Sequence, residues 1–333
     1  MANQRLRIGI AGCGRAARVH LGRLLTLAQG EVQLVGCADP NLEAAQLLAD
    51  QVPPAEGPVP TFADHKELLA QTTPDALAIF TPHRFHYRLA MDALQAGCHV
   101  FIERPLSTNV QEATDIVNLA RGRGRTVGVG HQYRLRPSLA EARRRLADGT
   151  IGPLRLVSAT LAAPWLAAHS APADAWRYDP KLGGGGLLAD QGDHLIDALL
   201  WTTGRAAVEV AAFQSRHPSG LDLVTAAALR LADEIPATLG LTGVAPGSLF
   251  ELIFFGERGR LHATETTLIE QRGTEAAVEV PLPEPTETID GNFVAAIRNG
   301  APLCCPADQA LDTVRLLEAI ARSAATGQVV RMA

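Results

Sequence analysis

Apolar positions between residues 5 and 130 fall into short, mostly apolar runs: LRIGIA, VQLVGCA, ALAIF, HVFIE and TVGVG. Runs of this length that do not alternate with polar residues suit strands covered on both faces, as in a parallel sheet. Between them, RAARVHLGRLLTLA, NLEAAQLLADQ and FHYRLAMDALQAG repeat their apolar positions every three or four residues, the period of amphipathic helices. Alternation of strand and helix predicts an α/β unit with helices on both faces of the sheet. The proline-rich VPPAEGPVP at 52–60 reads as a surface connection.

Near residue 128 the pattern changes. SLAEARRRLADG carries a helical period and PLRLVSATL a strand-like one, followed by KLGGGGLLADQGDHLIDALLWTTG. Residues 207–280 alternate in short runs (VEVAAFQSR, LVTAAALRL, ATLGLTG, SLFELIFFG, GRLHAT), which predicts a mostly antiparallel sheet. One face of it would lie on helices, leaving the other for a second subunit. Helices are expected again at 288–299 and 306–326. The chain thus divides at 127/128 into an N-terminal Rossmann-type dinucleotide-binding domain, 1–127, and a C-terminal α+β domain, 128–333.

Composition narrows the function classes. With 333 residues, 47% apolar and 20% charged, the chain is a folded protein of about two domains. A net charge of −5 without a basic face argues against nucleic acid. No apolar run is long enough to cross a membrane, and the amino terminus enters a strand pattern without a signal peptide's features, so a cytoplasmic location is expected. Five cysteines without CxxC spacing do not form a disulfide framework; Cys13, Cys37 and Cys98 read as small core residues.

The first strand–helix junction reads Gly12-Cys-Gly14-Arg-Ala-Ala17. Gly12 permits the tight turn, Gly14 admits a pyrophosphate to the backbone, and Ala17 keeps the helix close to the sheet. The helix start then offers unpaired N–H groups to phosphate. Gly12, Gly14, Arg15 and Ala16 are therefore assigned to the cofactor. Asp39 ends the second strand 22 residues beyond Ala17. An acid there bonds ribose hydroxyls and repels a 2′-phosphate, favouring NAD over NADP. Ligands of open parallel sheets sit beyond the carboxyl ends of strands, which adds Thr81, Pro82, His83, His86, Glu103 and Arg104 to the candidate cofactor set. For His83 and His86 the alternative is capping or loop hydrogen bonding.

In the second half, four consecutive glycines suit a turn or a close approach to a ligand. Asp190, His194 and Asp197 then share one helical face at i, i+4 and i+7. His194 near a carboxylate can move a proton near neutral pH, with Asp190 orienting it or holding a substrate hydroxyl. The alternatives are a metal site, for which further ligands at zinc spacing are lacking, and a structural His–Asp pair capping the glycine turn.

In order and spacing, G-x-G-x-x-A, T-P-x-x-x-H, E-R-P-L and G-G-G-x-x-x-D-x-G-x-H-x-x-D resemble the glucose–fructose oxidoreductase / inositol dehydrogenase / rhizopine-catabolism (Gfo/Idh/MocA) family over nearly the whole chain. The resemblance implies an NAD(P)-dependent dehydrogenase or reductase of sugars, cyclitols or related polyhydroxy compounds, assembled as a dimer or tetramer through the C-terminal sheet. It places Glu103 near the nicotinamide and gives Pro105 the turn, often after a cis bond. Asp190 and His194 become the substrate-binding and acid–base residues, with Gln132, Arg134 and Trp165 as further substrate contacts. Trp176 and Tyr178 extend an aromatic wall along a specificity loop at 162–182. The family's Glu-Lys-Pro is here Glu103-Arg104-Pro105. Arginine polarises an oxygen but does not release its proton, which leaves His194 as the proton carrier. The chain has two lysines, Lys66 and Lys181; Lys181, before the glycine run, reads as an exposed loop residue. Two other functions fit the same scaffold: a nucleotide-binding sensor, and elimination or glycoside cleavage assisted by tightly held NAD.

Overall fold

The computed structural model describes residues 5–27, 31–169 and 172–332. The first four residues of the amino-terminal stretch, and residues 170 and 171 of the 162–182 loop, lie outside the described residues. The elements begin with β1 (Leu6–Ala11), α1 (Arg15–Leu25), β2 (Val32–Ala38), α2 (Leu42–Ala49), β3 (Thr61–Phe62) and α3 (His65–Thr72). They continue with β4 (Ala76–Ile79), α4 (His86–Gln95), β5 (His99–Ile102), α5 (Val110–Arg123) and β6 (Val127–Val129). The six strands form one sheet in the order β3-β2-β1-β4-β5-β6. Every pairing in it is parallel. This order reverses between β1 and β4, the crevice where doubly wound sheets bind dinucleotides.

Most helices of this sheet start on a side-chain cap. Asn41 accepts from the N–H groups of Glu43 and Ala44, Asp64 from Lys66, and Asn109 from Glu112. Helix α1 differs: its first residue follows Gly14, which has no side chain to cap it. Its first N–H groups are therefore left for another acceptor.

The second set of elements is α6 (Pro137–Ala147), β7 (Leu154–Ala162), α7 (Trp165–Ala168), α8 (Pro180–Gly183) and α9 (Asp193–Thr203). Then come β8 (Ala207–Arg216), β9 (Asp222–Leu231), β10 (Ile235–Thr242), β11 (Leu249–Gly256), β12 (Gly259–Thr264), β13 (Leu268–Arg272) and β14 (Val278–Glu279). The chain closes with α10 (Ile289–Asn299), α11 (Ala307–Thr326) and β15 (Val330–Arg331). Nine strands make the second sheet, ordered β14-β13-β12-β11-β7-β10-β9-β8-β15. Its pairings are antiparallel except β7 with β10. Alternate residues of β9, Thr225, Ala227, Leu229 and Leu231, are buried, while Ala226, Ala228 and Arg230 between them are exposed. That is the one-sided burial of an antiparallel sheet.

The chain forms two compact units, one ending at His131 and taking in Glu287–Leu311, the other made of Gln132–Thr286 and the residues from Asp312 onward. The sequence reading leaves 287–311 with the C-terminal domain; the structure returns it to the first unit. The reason is an open sheet edge. Val129 N–H donates to Cys305 O at 3.0 Å, and Gly128 bridges to Pro306. An edge strand with unpaired groups is thereby covered. Asn292 Oδ1 accepts the Cys304 N–H at 2.7 Å, and Arg298 donates to Glu31 O at 3.0 Å, which fixes the returning segment.

Candidate functional site

In the first unit the glycine loop follows β1. Gly12 has φ +86°, and a Cβ there would lie 2.7 Å from the carbonyl carbon of Phe80 and the nitrogen of Thr81. The position therefore demands glycine twice over, by dihedral angle and by the crossing of β4's end. Gly14 and Arg15 are exposed and Ala16 is half-buried. A Cβ at Gly14 would meet nothing within 4 Å, so this backbone is open to a ligand. Ala17 is buried. Asp39 Oδ2 accepts the Cys13 N–H at 2.8 Å, and Oδ1 accepts the Asn41 N–H at 2.8 Å. The acid at the end of β2 is thus locked against the glycine loop.

Beyond β4, Thr81 Oγ1 is buried without a hydrogen-bond partner. An orphaned hydroxyl at the carboxyl edge of the sheet fits a polar ligand. Pro82 is half-buried and His83 is buried against His86, ring centroids 5.6 Å apart. His86, expected at the cofactor, is instead fully enclosed. Its Nδ1 lies 2.7 Å from Pro105 O and its Nε2 3.0 Å from Thr81 O. Burial lowers its pKa more than the two carbonyls raise it. It is a neutral strut between the end of β4 and the Glu103-Arg104-Pro105 corner, the loop-bonding alternative. The Arg104–Pro105 bond at that corner is cis. Glu103 N–H donates to Ile79 O at 3.0 Å, and Glu103 Oε2 accepts the Arg104 N–H at 2.8 Å. The Arg104 guanidinium is largely buried, with Nε 3.9 Å from the same carboxylate oxygen.

In the second unit the glycine run makes a close approach to Asp222. Asp222 Oδ1 accepts the Gly186 N–H and Oδ2 the Leu188 N–H, each at 2.7 Å. A Cβ on Gly186 would overlap the carbonyl oxygen of Asp222. The turn leads into a single π-helical turn, Leu188–Gly192, with Gly192 N–H donating to Leu187 O. Asp190 sits in this turn and His194 in α9, so the uniform helix expected across 190–197 is broken by one extra residue per turn. Such insertions are frequent at functional sites.

Asp190 is buried. Its Oδ2 accepts the Trp165 Nε1–H at 2.7 Å, with Arg177 Nε 3.3 Å away. Trp165, expected to face a sugar, is itself a core residue, 1% exposed, and its ring N–H serves the carboxylate. The His194 ring is buried and stacks on Tyr133, with centroids 4.4 Å apart and planes 10° apart. Arg136 covers Tyr133 at 3.9 Å. Arg134, expected at the substrate, donates from Nη2 to Asp197 Oδ1 at 2.6 Å and from Nε to Oδ2 at 2.9 Å. Gln132 Oε1 is a buried acceptor with no hydrogen-bond partner. Lys181 is exposed on α8.

Comparison with known proteins agrees with this layout. Residues 6–131 match the family described as an oxidoreductase family with an NAD-binding Rossmann fold, and residues 139–262 match the GFO/IDH/MocA C-terminal domain. The chain belongs to the Gfo/Idh/MocA oxidoreductase family. An uncharacterised oxidoreductase of Synechocystis sp. is 30% identical over 77% of this chain and 71% of its own length. D-glucoside 3-dehydrogenase of Escherichia coli is 29% identical over 63% of this chain. The match spans 57% of that relative's length. The fold of levoglucosan dehydrogenase in complex with NADH superposes with a TM-score of 0.87, covering 99% of this chain and all of that one, at 20% identity.

The family's cofactor is NAD, and the first unit fits it. A glycine backbone open at Gly14, a helix start without a side-chain cap, Asp39 beside them and the orphaned Thr81 hydroxyl together form a cradle for a dinucleotide. Residues that the sequence did not single out contact the candidate ones within each unit. Arg177 and Tyr133 brace Asp190 and His194. His20 braces Glu103 and is itself held by Asp290; a histidine on the apolar face of α1 is indistinguishable by pattern from a core residue.

Proposed function

We propose that the chain is an NAD-dependent dehydrogenase or reductase acting on a CH–OH group of a sugar, cyclitol or related polyhydroxy compound. The observation that carries this reading is the braced pair of the second unit. Asp190 is held by an indole N–H and an arginine, and His194 is held flat against Tyr133. A protein that merely sensed a nucleotide would have no need of a carboxylate and an imidazole fixed so closely. Bound NAD supplies a hydride acceptor, and NADH a donor. His194 takes up or returns the hydroxyl proton. Asp190 grips a neighbouring hydroxyl or orients the imidazole, Gln132 Oε1 accepts from another hydroxyl, and Arg104 polarises the reacting oxygen. Asp39, already drawn to the glycine loop, receives ribose hydroxyls and disfavours NADP. The activity named for D-glucoside 3-dehydrogenase supports a sugar-like substrate.

Five free thiols suit a reducing, cytoplasmic setting. Among the described residues no helix is long and apolar enough to cross a membrane. The outer face of the nine-stranded sheet, with Phe213 79% exposed beside Ala226 and Ala228, is the surface for a second copy in a dimer or tetramer. Arg104 in the lysine position favours a second reading, a nucleotide-binding sensor.

Fluorescence titration with NADH and NADPH, followed by a polyol and sugar panel, separates these readings. Tight NADH, weak NADPH and a substrate-dependent change in nicotinamide absorbance that is abolished in His194→Ala support the dehydrogenase. Binding without any such change supports the sensor, and failure to bind either nucleotide removes the redox reading.

A further inference from the structure

Helix α1 carries a histidine that the reaction scheme above does not use. His20 is 3% exposed and stacks on Phe80, with ring centroids 4.6 Å apart, with Phe101 tilted against it at 5.4 Å. Its Nδ1 lies 2.7 Å from Asp290 Oδ1 on α10, and its Nε2 3.1 Å from Glu103 Oε1 at the end of β5. Both ring nitrogens therefore face carboxylate oxygens. A neutral imidazole has one N–H and would leave a nitrogen lone pair against one of these oxygens; an imidazolium donates to both. Charged groups also nearby include Arg23, from the same helix, 3.6 Å from Asp290 Oδ2, and the Arg104 guanidinium beside Glu103. Burial pulls the His20 pKa down, but the hydrogen bonds from Asp290 and then Glu103 outweigh it and raise it to about 9.

The consequence falls on Glu103. One carboxylate oxygen is held by His20 and the other by the Arg104 N–H, so the group cannot rotate without losing a charge-assisted bond. Gly130 leaves the space it occupies: a Cβ there would press on the Glu103 carboxyl at 3.1 Å.

We propose that His20 is a positioning residue of the cofactor edge, held as an imidazolium between Asp290 and Glu103, where it fixes the orientation and offsets the charge of the Glu103 carboxylate. Its purpose rests on the NAD reading given above; its protonation and its link to Glu103 do not. Loss of the proton would leave the ring a single N–H for two carboxylates and remove the positive charge set between them, at the sheet edge expected to receive an anionic dinucleotide.

Two measurements test this. In the first, the full chain without nucleotide is labelled with ¹⁵N-histidine and titrated by NMR, with His20→Asn assigning the signal. His20 is expected to remain doubly protonated through pH 8 and to titrate near 9, and Glu103→Gln to lower that midpoint by about one pH unit or more. Titration near or below the ordinary histidine range, or no response to Glu103→Gln, overturns the proposal. In the second, NADH is titrated at pH 7 and pH 9.5. The unaltered chain is expected to bind several-fold more weakly at the higher pH, and His20→Asn to bind several-fold more weakly at pH 7 with little further change at 9.5. Equal affinity in the two proteins at both pH values overturns the positioning role. If His20→Asn does not fold, Asp290→Asn takes its place in both experiments. If the unaltered chain binds no NADH, the NAD reading falls, and the NMR titration alone decides the His20–Glu103 link.

Discussion

Arg134 and Asp197 offer the sharpest quantitative check on the second unit, because one was expected at the substrate and the structure pairs it internally. Their side chains are 3% and 1% exposed and joined by two short hydrogen bonds. Arg134 also lies over Trp201 at 5.9 Å, and Thr313 Oγ1 reaches Asp197 at 3.5 Å. Arg134→Met leaves a buried carboxylate without its guanidinium, and Asp197→Leu leaves the reverse. Removing one partner of a buried pair costs about 3–5 kcal/mol, whereas replacing both by apolar groups of similar volume is close to neutral. For a unit of this size each kcal/mol moves the melting temperature by roughly 2–4 °C, so each single variant should melt roughly 6–20 °C lower. The double variant should recover most of that loss. Differential scanning calorimetry of the four proteins gives the coupling directly. Asp197 is three residues after His194 on α9, so the single variants should also lower turnover by loosening the helix that carries the residue proposed as acid and base. Single variants that melt within about 2 °C of the parent, or a double variant whose loss equals the sum of the two singles, would refute the reasoning and return Arg134 to a substrate role.

Three further outcomes follow from particular contacts. Gly12→Ala combines a positive φ with a Cβ driven into the backbone of Phe80 and Thr81, so NADH affinity should drop at least tenfold in a fluorescence titration; retained affinity would show that the loop can move aside. Trp165→Phe keeps an aromatic ring but removes the N–H donor to a buried carboxylate, and should cost about 1.5–3 kcal/mol by urea unfolding while leaving NADH affinity unchanged. His20, whose folded pKa of about 9 lies above its unfolded value, contributes stability that is fully present below about pH 6.5 and lost as pH rises through 9. The parent should therefore lose up to roughly 3 kcal/mol of first-unit stability across that window, a slope that a pH series of melts on His20→Asn should lack.

The architecture was legible because its signals are local. Short, mostly apolar runs separated by helical periods suffice for five of the six strands of the parallel sheet, and one-sided alternation in β8 to β12 marks the second sheet. Shorter or distant features escaped. β3 has two residues and takes its register from β2. Assignment of 287–311 to the first unit depends on Cys305 and Pro306 covering the edge of β6, more than 170 residues earlier in the chain. No propensity within that segment records where it must dock.

The site divides along the same line. Gly12, Gly14 and Asp39 stand out in the sequence because the expected dinucleotide loop uses residue types that are conspicuous there: glycines at the turn, with Gly12 at positive φ, and an acid at a strand end. Histidines are harder, because one residue type performs several tasks. His86 lies in the motif yet is a neutral strut between two carbonyls, whereas His20, hidden on an apolar helix face, meets two carboxylates. What separates them is the set of acceptors facing each ring, and those come from Thr81 and Pro105 in one case and from Asp290 and Glu103 in the other. Similarly, the glycine run promised a turn or a close approach to a ligand, and the group it approaches is Asp222. By drawing Gly186 and Leu188 onto one carboxylate, it sets the entry to the π turn and so the placement of Asp190. Substituting Asp222 should therefore disturb Asp190 without touching it.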